Sequence, residues 1–189
     1  MLPELVQRSN LFLLLHKLDQ DLTNQYRQKD CPFCKGPLHQ ANYERKPRGA
    51  PESLPEDLCI RQSLCCGRED CRRRTLPPSC LFMGRRVYWG AVILVVMTLR
   101  QNRPEGAGTK WLIGMFGISR KTLIRWITYY REVFPQSAQW KKLRGRVGVY
   151  VGNDRLPGDL VDYFVDHCDC AEEGLIRCLY FLAGAADGL

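Results

Sequence analysis

The segment CPFCKG, residues 31–36, sets two thiols two residues apart, with Pro32 after the first and Gly36 past the second. A second group, CCGREDC at 65–71, offers Cys66 and Cys71 with Gly67 after the first. A tetrahedral zinc site takes four soft ligands from two tight turns, each turn presenting a pair of thiolates. The expected ligands are Cys31, Cys34, Cys66 and Cys71, with Cys65 an alternative to Cys66 because adjacent cysteines permit a one-residue change of register. Glycine in or after each turn is expected to supply the left-handed backbone that aims amides at sulfur. The 31 residues between the pairs suit a short β-hairpin with a loop, the shape of a zinc ribbon. Four thiolates would fill the metal's shell, so the zinc is expected to be structural. A redox CxxC needs a strand before it and a helix after it, which Pro32 and Gly36-Pro37 oppose. A deaminase-type zinc needs an upstream His-x-Glu, and none precedes CPFC. Cys59 and Cys80 read as small buried hydrophobes and His39 as an outlying group. His167, Cys168 and Cys170 fall at a helix-ending turn, and Cys178 lies among Leu175, Leu179 and Phe181 as a core residue.

The second chemical signal is GTKWLIGMFGISRKTLIRW, residues 108–126. Trp111, Leu112 and Met115 are expected on the packing face of a short helix. Gly117 would supply a left-handed turn, Ile118 would plug the angle, and Ser119 would cap the next helix. Leu123, Trp126 and Ile127 would pack that helix back on the first. Ser119, Arg120, Lys121, Thr122 and Arg125 then stand at the start of a helix suited to enter a major groove. Arginine reads guanine well, and lysine or threonine takes phosphate or base.

Charge supports the same partner. The chain carries a formal +8, unevenly spread. Residues 1–60 are neutral, 61–86 carry +5, 100–146 carry +9, and 147–189 carry −6. Arg72, Arg73, Arg74, Arg85 and Arg86 concentrate the first positive block. Such polarity suits a polyanion, and double-stranded DNA fits better than a membrane because no basic amphipathic helix with an apolar anchor face stands out. The acidic tail is expected to meet the basic body, a protein partner or a second copy.

These pieces need a scaffold. The expected fold is mainly α with a small β zinc ribbon and a helix-turn-helix module. Leu11, Leu14, Leu15, Leu18 and Leu22 predict a helix within an N-terminal unit over 1–28. Residues 29–80 form the ribbon, with PRGAPESLPED (47–57) a loop. Residues 84–135 form a helical unit opening on a buried helix over 84–101 and closing at Pro135. Residues 136–189 form the acidic helical tail. The apolar run 87–99 is too short to span a bilayer, and LFLLL at 11–15 is too brief for a signal-peptide core. Cysteine spacing of this kind without an export signal points to a reducing cytoplasm.

CPFC, then LCCGREDCRRRTLPPSCLFMGRRVYWGAV, then GISRKTLIRW resembles the zinc-ribbon and helix-turn-helix front end of bacterial insertion-sequence transposases and related mobile-element proteins. The resemblance covers about residues 30–135. It implies recognition of element-end DNA, ligand roles for Cys31, Cys34, Cys66 and Cys71, a reading role for Ser119 to Arg125, and a bacterial, nucleoid-associated location. Such transposases continue into an RNase-H-like domain with three acids holding magnesium, for which the 54 residues after Pro135 are too few. The expectation is therefore a zinc-stabilised, sequence-specific DNA-binding protein, a regulator or accessory factor with no catalytic residue assigned. Two alternatives stand beside it. One is a truncated or divergent transposase or nuclease using Asp154, Asp159, Asp162 and Asp166; the other is an RNA-binding or protein-bridging module. Asp159, Asp162 and Asp166 also read as the solvated face of a helix packed through Leu160, Tyr163 and Phe164.

Overall fold

The computed structural model describes residues 2–49, 54–84, 86–102 and 109–184. Where leucine spacing predicts one N-terminal helix, the chain forms two: α1 (Leu2–Leu5) and α2 (Ser9–Arg27). The break falls beside Val6, which is fully buried and holds the kink against the core. The buried stripe of α2 runs Leu11, Leu15, Asp19, Thr23 at four-residue spacing, with Phe12 and Leu22 beside it. Leu14 instead points outward, 42% exposed. An aspartate in the middle of an apolar stripe must be satisfied locally. Asp19 accepts the Cys80 amide at 2.6 Å and a short bond from the Ser79 hydroxyl. These contacts pin α2 to the segment that follows the sheet.

The strands are short and antiparallel. β1 (Leu38–Gln40), β4 (Leu64–Cys66) and β5 (Arg74–Thr75) form one sheet in the order β1-β4-β5. β2 (Tyr43–Glu44) pairs with β3 (Ile60–Arg61) in a second. The register sets Leu38 opposite Cys66 and His39 opposite Cys65. Side chains alternate across a strand, so Leu64 and Cys66 turn inward with Leu38. Together with Cys31 they make a small separate core, on which Tyr26 of α2 packs.

The large core is built around α3 (Gly90–Gln101). Every residue from Gly90 to Thr98 is buried. A helix apolar on all sides has to be surrounded, and α1, α4 (Thr109–Phe116), α5 (Arg120–Thr128), α7 (Gly158–Asp166) and α8 (Ala171–Leu182) all touch it. Each fully buried Val, Ile or Leu there contributes about 1.5–3 kcal/mol. The helix starts six residues later than the pattern predicts. Tyr88 and Trp89 are held extended by bridges to Arg48 and Phe82, and Trp89 meets Phe12 edge-on at 5.2 Å. Beyond α5 a π-turn over Tyr129–Val133 leads to α6 (Ala138–Leu143) through a ring cluster of Tyr130, Phe134 and Trp140. The chain is thus mainly helical with a small antiparallel sheet. None of the described helices is long and apolar enough to cross a membrane.

Candidate metal centre

Cys31 and Cys34 sit in the tight turn before β1, Cys66 ends β4, and Cys71 lies in the turn leading to β5. The register of β1 against β4 brings the two turns together, and the four sulfurs all lie within 4.8 Å of one another. Cys31 Sγ is 3.9 Å from Cys71 Sγ, and Cys34 Sγ is 3.3 Å from Cys66 Sγ. Four sulfurs bound at about 2.3 Å in a tetrahedron stand about 3.8 Å apart. The four thiols therefore fit one tetrahedral, thiolate-preferring ion, and no other such group occurs among the described residues.

The backbone around the sulfurs is arranged for negative charge. Each sulfur accepts an amide two residues further on: Cys31 from Phe33, Cys34 from Gly36, Cys66 from Arg68 and Cys71 from Arg73. Burial opposes ionisation of Cys31, but the amides of Phe33 and Cys34 and the thiols of Cys34 and Cys66 bring it down to about 7, whereas Cys34, Cys66 and Cys71 are raised. Both turns are closed by backbone bonds, the Lys35 amide on the Cys31 carbonyl at 2.9 Å and the Arg72 amide on the Arg68 carbonyl at 3.0 Å.

The left-handed residues are not the expected glycines. They are Lys35 (φ 59°) and Arg72 (φ 46°), each directly after the second cysteine of its pair. Gly36 and Gly67 serve clearance instead. A Cβ at Gly36 would lie 3.1 Å from Cys66 Sγ, and one at Gly67 would meet the His39 ring at 2.5 Å. The structure also separates the adjacent cysteines. Cys66 joins the cluster, whereas Cys65 faces the other side of β4, with Sγ 3.3 Å from the Arg72 carbonyl. His39, opposite Cys65, stays outside the sulfur cluster. Cys80 and Cys178 are buried as expected, and Cys59 is only half-buried. His167 stacks on Tyr163 at 4.4 Å with Nδ1 against the Tyr163 carbonyl, and forms no metal group with Cys168 or Cys170.

The arginines differ in their surroundings. Arg72, Arg73 and Arg74 are exposed; Arg73 lies over Phe33 at 4.7 Å and Arg74 over Tyr43 at 5.3 Å. Arg86 is half-buried, stacked on Tyr129 at 3.9 Å and bonded to the Met83 carbonyl. Arg85 lies outside the described residues.

α4 and α5 are joined by Gly117, Ile118 and Ser119. Gly117 has φ 57°, Ile118 is buried, and the Ser119 hydroxyl accepts the Thr122 amide at 3.1 Å. The packing face of α4 differs from the expected one: Leu112 and Phe116 are buried, whereas Trp111 and Met115 are about two-fifths exposed, at 39% and 41%. Leu112 and Phe116 are four apart and form one line toward α3, and eight residues give the helix room for little more. On α5, Leu123 and Trp126 face inward with Ile127 half-buried. Arg120, Lys121 and Arg125 are exposed, and none has an ion-pair partner among the described residues. Thr122 is half-buried, its hydroxyl 3.0 Å from Ser119 Oγ. Comparison with family models, curated proteins and solved structures finds no match.

Two of the four aspartates considered as magnesium ligands are engaged within the fold. Asp159 pairs with Arg155 at 3.1 Å, and Asp162 accepts from the Asn102 amide at 3.3 Å. Burial raises the Asp162 carboxyl. Asp154, Asp159, Asp162 and Asp166 form no metal group. Sequence reading missed two buried charges, Asp19 and Arg61, 2% and 4% exposed. The position of Asp19 in the Leu11–Leu15 stripe was a usable signal; Arg61 carried none.

Proposed function

We propose that the chain is a zinc-stabilised, sequence-specific DNA-binding protein, acting as a regulator or accessory factor of a mobile element. Cys31, Cys34, Cys66 and Cys71 hold a structural zinc ion, which leaves no open position for chemistry and fixes the loops of a small ribbon. α4 and α5 act as a helix-turn-helix with α5 as the reading helix. One observation carries the reading: Arg120, Lys121 and Arg125 project, exposed and without acidic partners among the described residues, from a helix clamped through Leu123 and Trp126.

The arginines after the second cysteine pair add a sequence-independent term. Ring stacking occupies the face of the Arg73 and Arg74 guanidinium groups and leaves their N–H edges for phosphate oxygens. The Ser119 and Thr122 hydroxyls cap the helix, so their contribution is to hold its first turn in place. Base reading then falls to Arg120, Lys121 and Arg125.

Fluorescence anisotropy on the DNA flanking the gene tests this. Arg120→Ala or Arg125→Ala should cost about 1–3 kcal/mol on the preferred sequence and flatten discrimination at one position. Arg73→Ala should weaken all sequences alike and reduce the salt slope by about one. Unchanged affinity and preference in both α5 variants would remove the groove assignment.

A further inference from the structure

The largest unexplained charge inside the fold is Arg61, on β3. Only 4% of the residue is exposed. Its Nη2 donates to the Pro77 carbonyl at 2.9 Å, and the guanidinium lies over the Phe82 ring at 5.6 Å. Nε and Nη1 have no hydrogen-bond partner among the described residues. A buried guanidinium with two unmet donors is costly. Asp19 acts on it through its charge, without a hydrogen bond between them, while the carboxylate oxygens accept from Ser79 and Cys80.

Arg61 lines a cavity of about 340 Å³. The cavity's other walls include Phe82, Arg86, Tyr129, Phe134 and Leu179. Among its described lining residues are two arginines and no carboxylate. The size lies in the range of small-molecule sites, about 300–1,000 Å³, and such sites combine apolar walls with a few aimed polar groups. Arg86 is held by Tyr129 and the Met83 carbonyl, which steadies a second positive group at the same cavity.

We infer that this cavity binds a small organic anion, a carboxylate or phosphate monoester on an apolar body, with the anionic head on Arg61. The apolar part lies against Phe82, Phe134 and Leu179. The site is independent of the metal centre and of the α5 surface, so it stands or falls separately from the DNA-binding reading.

Displacement of anilinonaphthalene sulfonate from the full-length, metal-loaded chain provides the test. Octanoate, octyl phosphate, octanol and inorganic phosphate are the four competitors. Octanoate or octyl phosphate should displace the dye about tenfold or more better than octanol, because only they bring a counter-charge to the guanidinium. Whichever of the two is stronger identifies the head group. Arg61→Gln should abolish the preference for the anion. Ala183→Phe, which puts a ring into the cavity from another of its lining residues, should block binding with Arg61 intact, and carries the test if Arg61→Gln does not fold. Equal displacement by octanol, equal displacement by inorganic phosphate, unaltered binding in the filled variant, or no displacement at millimolar competitor would each overturn the inference.

Discussion

Removing the metal should dismantle the sheet and leave the helices standing. The β1-β4-β5 sheet orders eight residues: three in β1, three in β4 and two in β5. Fixing their backbones costs about 1–2 kcal/mol each, or about 8–16 in all. Its apolar side chains are few. Among the described residues, Leu38 and Leu64 are the buried members of the small core that are not cysteine, and burying both contributes about 3–6 kcal/mol. The shortfall is about 2–13 kcal/mol, which the apparent contribution of about 10–16 from a structural zinc is large enough to cover. The helical core needs no such help, since α3 alone buries nine consecutive residues.

The assay is an amide-resolved NMR spectrum before and after a strong chelator, with metal stoichiometry from native mass spectrometry. One ion should leave per chain. The resonances of Leu38–Gln40, Leu64–Cys66 and Arg74–Thr75 should collapse to the unfolded range, while those of α3, α7 and α8 persist. Cys66→Ala should give the same spectrum without chelator, and Cys65→Ala should keep both ion and sheet. A metal-free protein with its sheet resonances unmoved would refute the reasoning. So would loss of the ion in Cys65→Ala with retention in Cys66→Ala.

Two glycines should respond to alanine in opposite directions. At Gly174 a Cβ would lie 2.6 Å from Val165 Cα and 2.9 Å from the Phe164 carbonyl, both backbone atoms, so Gly174→Ala should force α7 and α8 apart and cost about 3 kcal/mol in urea denaturation. At Gly114, within α4, an added Cβ meets nothing within 4 Å, so Gly114→Ala should stabilise by about 0.4–1 kcal/mol. Burial pushes the Asp19 carboxyl up to about 6, against the Ser79 and Cys80 donors. A folded-state value above the unfolded one means the native state holds the proton more tightly, a stabilisation present below about pH 4 and lost as pH rises through about 6. Asp19→Asn should therefore gain on the wild type between pH 4 and 7, whereas Asp19→Ala, leaving the Cys80 amide unmet, should cost about 1–3 kcal/mol in the same measurement.

The four-sulfur cluster was legible because thiol spacing in tight turns is a local property of the chain. The choice between Cys65 and Cys66 was not local. It depends on which strand residue faces Leu38, and hence on the register of β4 against β1. The alternation Leu64, Cys65, Cys66, with a leucine two before the ligand, held the answer once β4 was known to be a strand. Glycine misled for a related reason. Gly36 and Gly67 look like left-handed residues, but Lys35 and Arg72 take that conformation, and the glycines make room for Arg68 and His39. Nothing in a hexapeptide reveals what will lie against it from thirty residues away.

The same limit separates the two halves of the chain's positive charge. Sequence counts Arg61, Arg86 and Arg120 alike, yet the fold buries the first, stacks the second on Tyr129 and exposes the third. A buried arginine costs stability, and a chain retains that cost where a ligand or network repays it. An exposed arginine on a rigid helix costs almost nothing, so its placement is informative only when no acid answers it. On that criterion the two proposals concern different kinds of site, an exposed helix face for a polyanion and a cavity lined by Arg61 and Arg86 for a small anion. Substituting Arg61 should change small-molecule binding without altering the salt slope on DNA, and substituting Arg125 should do the reverse. A shared response to both substitutions would mean that one surface, rather than two, accounts for the positive charge.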